Sequence, residues 1–280
     1  MGKKISLYIK RLFKYVIGGE PKKIITADIK YLSPANRLKD RKLVITGGSR
    51  GIGLAMARKF VEEGASVLIT GRDADVLKAV SQEIGCEYLV LDLLDIDSFD
   101  GFLDNAEKKL GQIDGLVNNA GVSLHEKSFF DITKETFDLQ IDTNFRGPLF
   151  LTQAFVRRLK ERNLPGNILF VSSETGITMD IRPYGYTKAA INSMVQGLAY
   201  SLAKDGIRVN AVAPGITATE MTGFNQNENL YLKKNMTERV YLPGEVAETA
   251  CFLLSDASSC ISGQILVCNN GRTINSRVKK

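Results

Sequence analysis

The sequence is poor in residues that bind transition metals or that assist a nucleophile. It has one histidine, His125, and its four cysteines form no C-x-x-C pair. A zinc site and histidine-dependent nucleophilic catalysis are therefore not expected, and we predict no metal-binding residue. Unpaired thiols are typical of a reducing compartment, so we expect a cytoplasmic protein.

Long apolar runs and a strong excess of one charge are also lacking. No apolar run reaches the ~20 residues needed to cross a bilayer. Charged residues make up 24% of the 280 residues, and the formal net charge is +6. This charge permits an anionic cofactor or an acidic partner without requiring either, and we expect no nucleic-acid partner. Hydrophobic residues make up 44%, which is enough for the core of one large domain.

From residue 42 onward, short apolar runs alternate with amphipathic stretches. The predicted strands are Lys42–Thr46, Ser66–Thr70, Glu87–Asp92, Ile113–Asn119, Gly166–Ser173, Gly206–Pro214 and Gln264–Cys268. Apolar strands that alternate with helices indicate a parallel sheet covered on both faces. We therefore predict an α/β fold with a single doubly wound parallel sheet, in a domain that spans residues 41–280.

Residues 1–40 do not follow this pattern, and we interpret them as a basic N-terminal extension. Residues 3–17 would form an amphipathic helix with positive charges beside its apolar stripe. The stripe would consist of Ile5, Ile9, Leu12, Phe13 and Val16. A basic amphipathic helix can lie in an anionic membrane interface, so this segment is a candidate for peripheral membrane contact. The alternative is that it packs on the domain or on a second subunit.

A glycine-rich stretch, TGGSRGIG (Thr46–Gly53), follows the first strand and opens a helix. In this context Gly47 permits a tight turn, Gly51 lets the backbone approach a pyrophosphate, and Gly53 lets the helix pack close to the strand. The helix N-terminus adds free N–H groups and a partial positive charge. The predicted phosphate contacts are Gly47, Ser49, Arg50, Gly51, Ile52 and Gly53.

The spacing T-G-x-x-x-G-x-G resembles that of the classical short-chain dehydrogenase/reductase family. N-N-A-G (Asn118–Gly121), N-x-V-x-P-G (Asn210–Gly215) and Thr219 match further motifs of that family. The resemblance covers about residues 40–271 and is nearest to the 3-oxoacyl-thioester reductases. It implies a Rossmann-type fold, a nicotinamide cofactor and a homodimer or homotetramer. The further cofactor contacts that it implies are Asp92, Leu93, Asn119, Ala120, Gly121, Pro214, Gly215, Ile216 and Thr219. For Asp92, a helix-capping role is the alternative.

The end of the second predicted strand indicates which nicotinamide cofactor is bound. An acidic residue there would hydrogen-bond the ribose 2′-OH and repel a 2′-phosphate. The sequence LITGRD places Gly71 at that position, followed by Arg72. Arg50 and Arg72 together favour a 2′-phosphate, so we predict NADP(H). NAD(H) is the less favoured alternative. It would apply if a register shift of two brought Asp73 to the ribose.

Tyr184 and Lys188 are four residues apart at the start of a predicted helix, Tyr184–Gly206, and therefore share one face of it. Tyr186 lies on a different face from Lys188. A tyrosine has an ordinary pKa near ~10, and a neighbouring ammonium lowers it towards the range where a general acid works best. We predict that Tyr184 is the general acid/base and that Lys188 lowers its pKa.

The resemblance implies two further catalytic residues. Ser173, in VSSETG, corresponds to the serine that holds the substrate oxygen, and Ser172 is the alternative. Asn144, in TNFRGP, resembles the asparagine that holds a water for proton relay to the lysine. The resemblance also implies that Tyr184 and Lys188 contact the cofactor.

Together these residues predict an NADP(H)-dependent oxidoreductase that interconverts a carbonyl and a secondary alcohol by hydride transfer. Enoyl reductases of the superfamily have a longer tyrosine–lysine spacing, so the chain resembles a carbonyl reductase or alcohol dehydrogenase. The alternative is a catalytically idle NADP(H)-binding scaffold or sensor on the same fold.

The predicted substrate is a small-molecule or acyl-thioester carbonyl. Asp205 stands where reductases that dock acyl carrier protein often have an arginine. A cluster of arginines could compensate for the negative charge of Asp205. The alternative is that these arginines only form a solvated helix face. These arginines are Arg146, Arg157, Arg158 and Arg162. Residues Gly215–Glu245 are expected to form a substrate lid. Its apolar wall, or else a packing cluster, would consist of Met221, Phe224, Leu230 and Tyr231.

Overall fold

The computed structural model describes residues 24–27 and 35–274. Its strands are β1 (Lys42–Thr46), β2 (Ser66–Gly71), β3 (Glu87–Val90), β4 (Gly115–Asn118), β5 (Gly166–Val171), β6 (Ile207–Pro214) and β7 (Ile265–Cys268). They form one parallel sheet in the order β3-β2-β1-β4-β5-β6-β7. The predicted doubly wound parallel sheet is confirmed.

Helices cover both faces of this sheet. They are α1 (Gly51–Glu62), α2 (Ala74–Ile84), α3 (Phe99–Leu110), α4 (Lys134–Ile141), α5 (Gly147–Glu161), α6 (Pro183–Leu202) and α7 (Pro243–Leu254). One hydrophobic core packs α3, α5 and α6 on the first face, and a second packs α1, α2 and α7 on the other. Val44 of β1 points into the first core, whereas its neighbours Leu43 and Ile45 point into the second. This alternation explains why the strands are apolar throughout.

Three elements begin or end at the site, and two of them, β5 and α6, differ there from their predicted bounds. α1 begins at Gly51, directly on the glycine-rich stretch. β5 ends at Val171, which leaves Ser172 and Ser173 in the turn beyond it. α6 begins at Pro183, a residue that suits the first helical position because it needs no N–H partner there.

The strand order reverses between β1 and β4. From β1 the sheet continues through β2 and β3 to one edge, and from β4 it continues through β5, β6 and β7 to the other. In open α/β sheets, ligands bind in the crevice at the carboxyl ends of the strands where this reversal occurs. The glycine-rich stretch follows β1 and the N-N-A-G stretch follows β4. The fold therefore brings both motifs to the one crevice where a nucleotide is expected.

Residues 35–40, which the sequence places in the extension, pack into the domain. Leu38 is fully buried in the second core. The buried carboxylate of Glu63 accepts hydrogen bonds from the Arg37 side chain at 2.6 Å and from the Ala35 amide at 3.1 Å. Burial alone would raise the pKa of Glu63, but the bonds to Arg37 and Lys59 hold that pKa well below its usual range.

The candidate membrane segment, residues 3–17, lies outside the described residues. Within residues 24–27 and 35–274, none of the helices has the length and apolar character needed to cross a membrane.

Candidate active site

The stretch after β1 adopts a conformation that requires glycine. Gly47 has a φ of 64° and Gly51 a φ of 55°, in the left-handed region that other residues rarely adopt. A Cβ atom on Gly53 would lie 2.1 Å from the Gly47 carbonyl oxygen. The three glycines therefore allow the tight turn and the close approach of α1 to β1.

Two side chains hold this turn in place. The Asn119 side-chain nitrogen donates to the carbonyl oxygens of Thr46 and Gly47, both at 2.9 Å. The Thr46 hydroxyl accepts from the amides of Asn119 at 3.0 Å and Ala120 at 3.1 Å. Asn119 thus joins the predicted phosphate turn to the end of β4. The role of Thr46 was not predicted, although its position as a polar residue at the end of a buried strand was a usable signal.

The N-terminus of α1 is open to a ligand. Arg50 is its N-cap residue, and among the described residues no side chain caps this helix end. The first-turn N–H groups are consequently available to an anion. Thr219 lies beside the turn, since its Cγ2 would be 3.3 Å from a Cβ on Gly51. The Arg50 side chain pairs with Glu220 at 3.0 Å, and both groups are largely exposed.

The sequence predicts that the adenosine ribose lies at the end of β2. Gly71 is the last residue of β2, and the Ser49 hydroxyl would lie 3.7 Å from a Cβ placed on it. Arg72 is exposed. The Asp73 carboxylate accepts from the amides of Asp75 and Val76 at the start of α2. Asp73 is therefore the N-cap of α2, and one oxygen of its carboxylate is engaged at the start of that helix.

Asp92 and Leu93, two of the predicted cofactor contacts, follow β3. The Asp92 carboxylate accepts from the Leu94 amide at 3.0 Å, so it caps a local turn in this structure. Leu93 is buried, and a Cβ on Gly147 would lie 2.5 Å from the Leu93 carbonyl oxygen. The start of α5 therefore packs directly on this turn.

Lys188 lies in the middle of the predicted catalytic group and is almost fully buried. Its ammonium donates to the Val171 carbonyl oxygen at 2.8 Å and lies 5.5 Å from the centroid of the Tyr184 ring. Burial lowers the pKa of Lys188 to about 8. Its charge is therefore sensitive to pH just above neutrality.

Tyr184 is half-buried and faces Ser173. Burial raises its pKa above the usual value, while the contact with the Ser173 hydroxyl and the charge of Arg182 act in the opposite direction. In this structure burial is the largest influence on the pKa of Tyr184 and raises it, whereas the sequence predicts that Lys188 lowers it. The Lys188 ammonium is hydrogen-bonded to the Val171 carbonyl.

The structure distinguishes the two serines after β5. The Ser172 hydroxyl donates to the Asn192 side chain at 2.6 Å and so faces the body of α6. The Ser173 hydroxyl accepts from the Thr175 amide at 3.2 Å and contacts Tyr184. Only Ser173 is placed beside the phenol.

Asn144 lies in a π-helical turn, Asp142–Arg146, between α4 and α5. Its side chain donates to the Val122 carbonyl and accepts from the Val122 amide, both at 2.8 Å. A Cβ on Gly121 would lie 3.2 Å from the Asn144 side-chain oxygen and 3.6 Å from the Lys188 nitrogen. The glycine of N-N-A-G therefore leaves room for both groups. Single π-helical turns are frequent at functional sites.

The end of β6 contributes the last predicted cofactor contacts, Pro214, Gly215 and Ile216. A Cβ on Gly215 would lie 2.8 Å from the Tyr241 ring and 2.9 Å from the Asn269 Cβ. Gly215 thus allows the backbone to pass between two packed side chains.

Several known proteins are similar to this chain. A family model described as enoyl-(acyl carrier protein) reductase matches residues 47–273. An L-rhamnose 1-dehydrogenase (NAD(P)(+)) of Azotobacter vinelandii is 34% identical over 254 residues, which cover 85% of this chain and 98% of that protein. An NADP-dependent (R)-specific alcohol dehydrogenase of Lentilactobacillus kefiri is 33% identical over 249 residues, with coverages of 85% and 98%.

The chain belongs to the short-chain dehydrogenase/reductase family. A solved structure gives the same result at the level of the fold. The 3-ketoacyl-(acyl-carrier-protein) reductase of Brucella melitensis, complexed with NADH, matches with a TM-score of 0.78 at 30% identity, over 85% of this chain and 100% of that one. Because its relatives are dehydrogenases and reductases that use NAD(P), this short-chain dehydrogenase/reductase is an oxidoreductase.

The predicted lid of this short-chain dehydrogenase/reductase is partly a packing unit. Leu230 is buried against Ala218, Val240 and Leu242, so it does not form the expected apolar wall. Phe224 packs on the same cluster, whereas Met221 remains partly exposed. The Met221 carbonyl is 2.9 Å from a ring nitrogen of His125, which connects the lid to the loop after β4.

The arginines considered for docking a carrier protein are engaged in ion pairs within the chain. Arg158 pairs with Asp104 at 2.6 Å and Arg162 with Glu107 at 2.7 Å. Arg146 pairs with Asp142 and Arg157 pairs with Asp100, both at 3.6 Å. Asp205 pairs with Lys160 at 2.7 Å. Across residues 24–27 and 35–274, no three histidine, cysteine or acidic side chains are grouped as metal ligands.

Proposed function

We propose that this chain is an NADP(H)-dependent oxidoreductase that interconverts a carbonyl and a secondary alcohol, with Tyr184 as the general acid/base. The observation that carries the proposal is the contact between Tyr184 and Ser173, with the buried ammonium of Lys188 beside the tyrosine ring. A proton donor, a second hydroxyl and a cation converge at the crevice next to the phosphate turn. The alternative of an idle scaffold does not require this grouping.

The residues present fit a nicotinamide dinucleotide. The glycine turn has the left-handed geometry that lets the backbone approach phosphate groups, and the amides at the start of α1 face outward from an end that no described side chain caps. Gly47, Ser49, Gly51 and Ile52 would hold the pyrophosphate. Lys188 would contact the nicotinamide ribose. When bound, the cofactor supplies or accepts the hydride.

NADP(H) is the proposed form of the cofactor because positive charge surrounds the ribose edge. Gly71 offers no carboxylate, and one carboxylate oxygen of Asp73 is engaged in capping α2. Arg72 is exposed at this edge. Arg50 pairs with Glu220, but a solvent-exposed pair of this kind contributes only about 0–1 kcal/mol and is readily exchanged for a phosphate. Two guanidinium groups would then face the 2′-phosphate.

The chain's own residues divide the proposed chemistry among them. Ser173 holds the carbonyl oxygen of the substrate, and Tyr184 donates its phenolic proton to that oxygen during reduction. The raised pKa of Tyr184 keeps the phenol protonated at neutral pH. The Lys188 ammonium stabilises the negative charge that develops on the phenol oxygen. Asn144, fixed by two bonds to Val122, orders the path by which Lys188 is resupplied with a proton.

The substrate that we propose is a small-molecule carbonyl rather than a carrier-bound acyl thioester. The spacing of four residues between Tyr184 and Lys188 favours carbonyl over enoyl reduction, as the resemblance implies. Docking an acidic carrier needs positive charge, and Arg158 and Arg162 face acidic side chains of α3 while Asp205 adds a negative charge nearby in the sequence of the docking motif. A free ketone needs only access to Tyr184.

We also propose a homodimer or homotetramer in the cytoplasm. The four cysteines are free thiols in the structure, as expected for a reducing compartment. Size-exclusion chromatography with light scattering tests the assembly, and a single species with the mass of one chain would exclude it.

The decisive experiment is reduction of a ketone panel by NADPH, followed by the loss of NADPH absorbance. Tyr184→Phe should lower turnover by at least about 100-fold, the lower end of the range for general acid–base catalysis, because the ring remains but the proton donor is lost. NADPH affinity should stay within a few fold. Tyr186→Phe is the matched control, because Tyr186 is exposed two residues away and should leave turnover unchanged. Binding of NADPH without turnover on any ketone would support the scaffold alternative.

A further inference from the structure

A buried carboxylate, Glu174, directly follows Ser173 and has no part in the proposed chemistry. Its residue is only 6% exposed. One carboxylate oxygen accepts from the Asn269 side chain at 3.0 Å, and the other is paired with Arg272. Both partners lie just after β7 and come almost a hundred residues later in the chain than Glu174. Glu174 therefore ties the turn after β5 to the segment after β7.

The turn that contains Glu174 is also packed against α6. The Asn192 side chain donates to the Gly176 carbonyl oxygen at 3.1 Å. A Cβ on Gly176 would lie 2.7 Å from the carbonyl carbon of Lys188, so the turn touches the backbone of the predicted catalytic lysine. A displacement of Glu174 would consequently move Ser173 and act on Lys188 through this contact.

The segment after β7 holds a second part of the site. The Asn269 carbonyl accepts from the Tyr241 hydroxyl at 2.7 Å. The Tyr241 ring and the Asn269 Cβ are the two groups that enclose Gly215, a predicted cofactor contact. Asn269 is thus bonded on one side to Glu174, next to Ser173, and on the other side to the wall around Gly215.

We propose that Glu174, Asn269 and Arg272 form a clamp that positions Ser173 against the cofactor-binding end of β6. The clamp rests on the proposed function and explains why a carboxylate is buried at this point. A buried carboxylate without a cation would be driven towards solvent. Because Glu174 and Ser173 are adjacent, such a movement would pull the serine hydroxyl away from Tyr184. Glu174 and Arg272 are positioning residues and do not touch the reacting atoms.

The test is Arg272→Met, measured with any ketone that the wild-type protein reduces. Removing the guanidinium should lower kcat about tenfold or more, since misplacement of a reacting group by about 1 Å can cost about 100-fold. The affinity for NADPH, followed by fluorescence titration, should change less than about twofold, because the phosphate turn and α1 are untouched. Arg272→Lys keeps the positive charge and should retain most of the activity.

The control and the double variant separate positioning from general stability. Arg158→Met removes an ion pair of a largely buried arginine on α5 and should leave kcat unchanged. Glu174→Gln combined with Arg272→Met removes both charges, so it should recover much of the kcat lost in Arg272→Met. Unchanged kcat in Arg272→Met, or a double variant no better than Arg272→Met, would overturn the clamp.

Hydrogen exchange keeps this inference distinct from the proposed function. The amides of Gly176 and Ile177 are bonded to the carbonyls of Ser173 and Glu174 at 3.0 and 3.1 Å. Arg272→Met should speed the exchange of both amides even if no ketone is reduced. A wild-type protein without turnover would refute the proposed function alone, whereas unaltered exchange in Arg272→Met would refute the clamp.

Discussion

At the scale of single residues, Lys188 is the group in the site whose charge is most sensitive to moderate pH. Its pKa of about 8 follows from burial, so the ammonium is present below that pH and is lost above it. The pKa of Tyr184 is raised, so the phenol remains protonated through the same range. The two residues therefore titrate in a fixed order, lysine first.

This order predicts that kcat/KM for ketone reduction falls as the pH rises through about 8. The neutral amine no longer stabilises the negative charge that develops on Tyr184. Lys188→Arg should remove the fall near this pH, because a guanidinium stays charged there. A pH–rate profile of both proteins is the measurement, and a flat wild-type profile through this pH would contradict the assignment.

Arg72 should determine the choice between the two nicotinamide cofactors. Arg72→Asp removes a partner for the 2′-phosphate and adds a charge that repels it. We expect the ratio of kcat/KM for NADPH to that for NADH to fall by at least about tenfold, equivalent to ~1.4 kcal/mol. Arg157→Asp, an exposed charge reversal on α5, should leave the ratio unchanged. If the two variants had the same ratio of kcat/KM for NADPH to that for NADH, a residue other than Arg72 would contact the ribose.

At the scale of elements, the lid is connected to the described part of the N-terminal extension. The Leu230 amide donates to the Ile25 carbonyl at 3.1 Å, and the Ile25 amide donates to the Asn229 side chain at 3.1 Å. Ala27 packs on the cluster around Leu230. Residues 24–27 therefore add a further segment to the lid.

Deleting residues 1–27 should speed hydrogen exchange of the Leu230 amide, because its acceptor is removed. Deleting residues 1–23 is the control, since it retains Ile25 and Ala27 and should leave this amide protected. Exchange followed by mass spectrometry of lid peptides resolves the two deletions. Equal protection in both would mean that Ile25 does not hold the lid in solution.

At the scale of the whole molecule, the extension and the domain meet at a buried charge. Glu63 is fully buried and pairs with Arg37 and Lys59. Its lowered pKa means that this pairing stabilises the fold above the ordinary carboxyl pKa, and that the contribution is lost as pH falls through the range below it. Residues 35–40 are therefore part of the folding unit.

Arg37→Met should lower the free energy of unfolding by about 2 kcal/mol at neutral pH, less than the full cost of breaking a buried pair because Lys59 still faces Glu63. Arg58→Met is the matched control on α1. Its ion pair with Glu83 is half-exposed, so we expect a loss below about 1 kcal/mol. Urea unfolding gives both values, and similar losses would show that Glu63 does not depend on Arg37.

The sequence by itself determined the features that depend on neighbouring residues. The alternation of apolar strands and helices predicted the parallel sheet, and the glycines between Gly47 and Gly53 predicted the turn at α1. The spacing between Tyr184 and Lys188 placed both on one helical face, because helix geometry relates residues four apart. These inferences need no knowledge of how the elements pack.

The tertiary structure alone decided the features that join distant residues. It turned Ser172 into α6 and Ser173 towards Tyr184, and it aimed the Lys188 ammonium at Val171. Burial raises the pKa of Tyr184, which is opposite to the direction expected from the sequence. It also paired Glu174 with Arg272 across 98 positions. Burial and the direction of a side chain depend on which elements pack together. The local sequence pattern does not determine that packing.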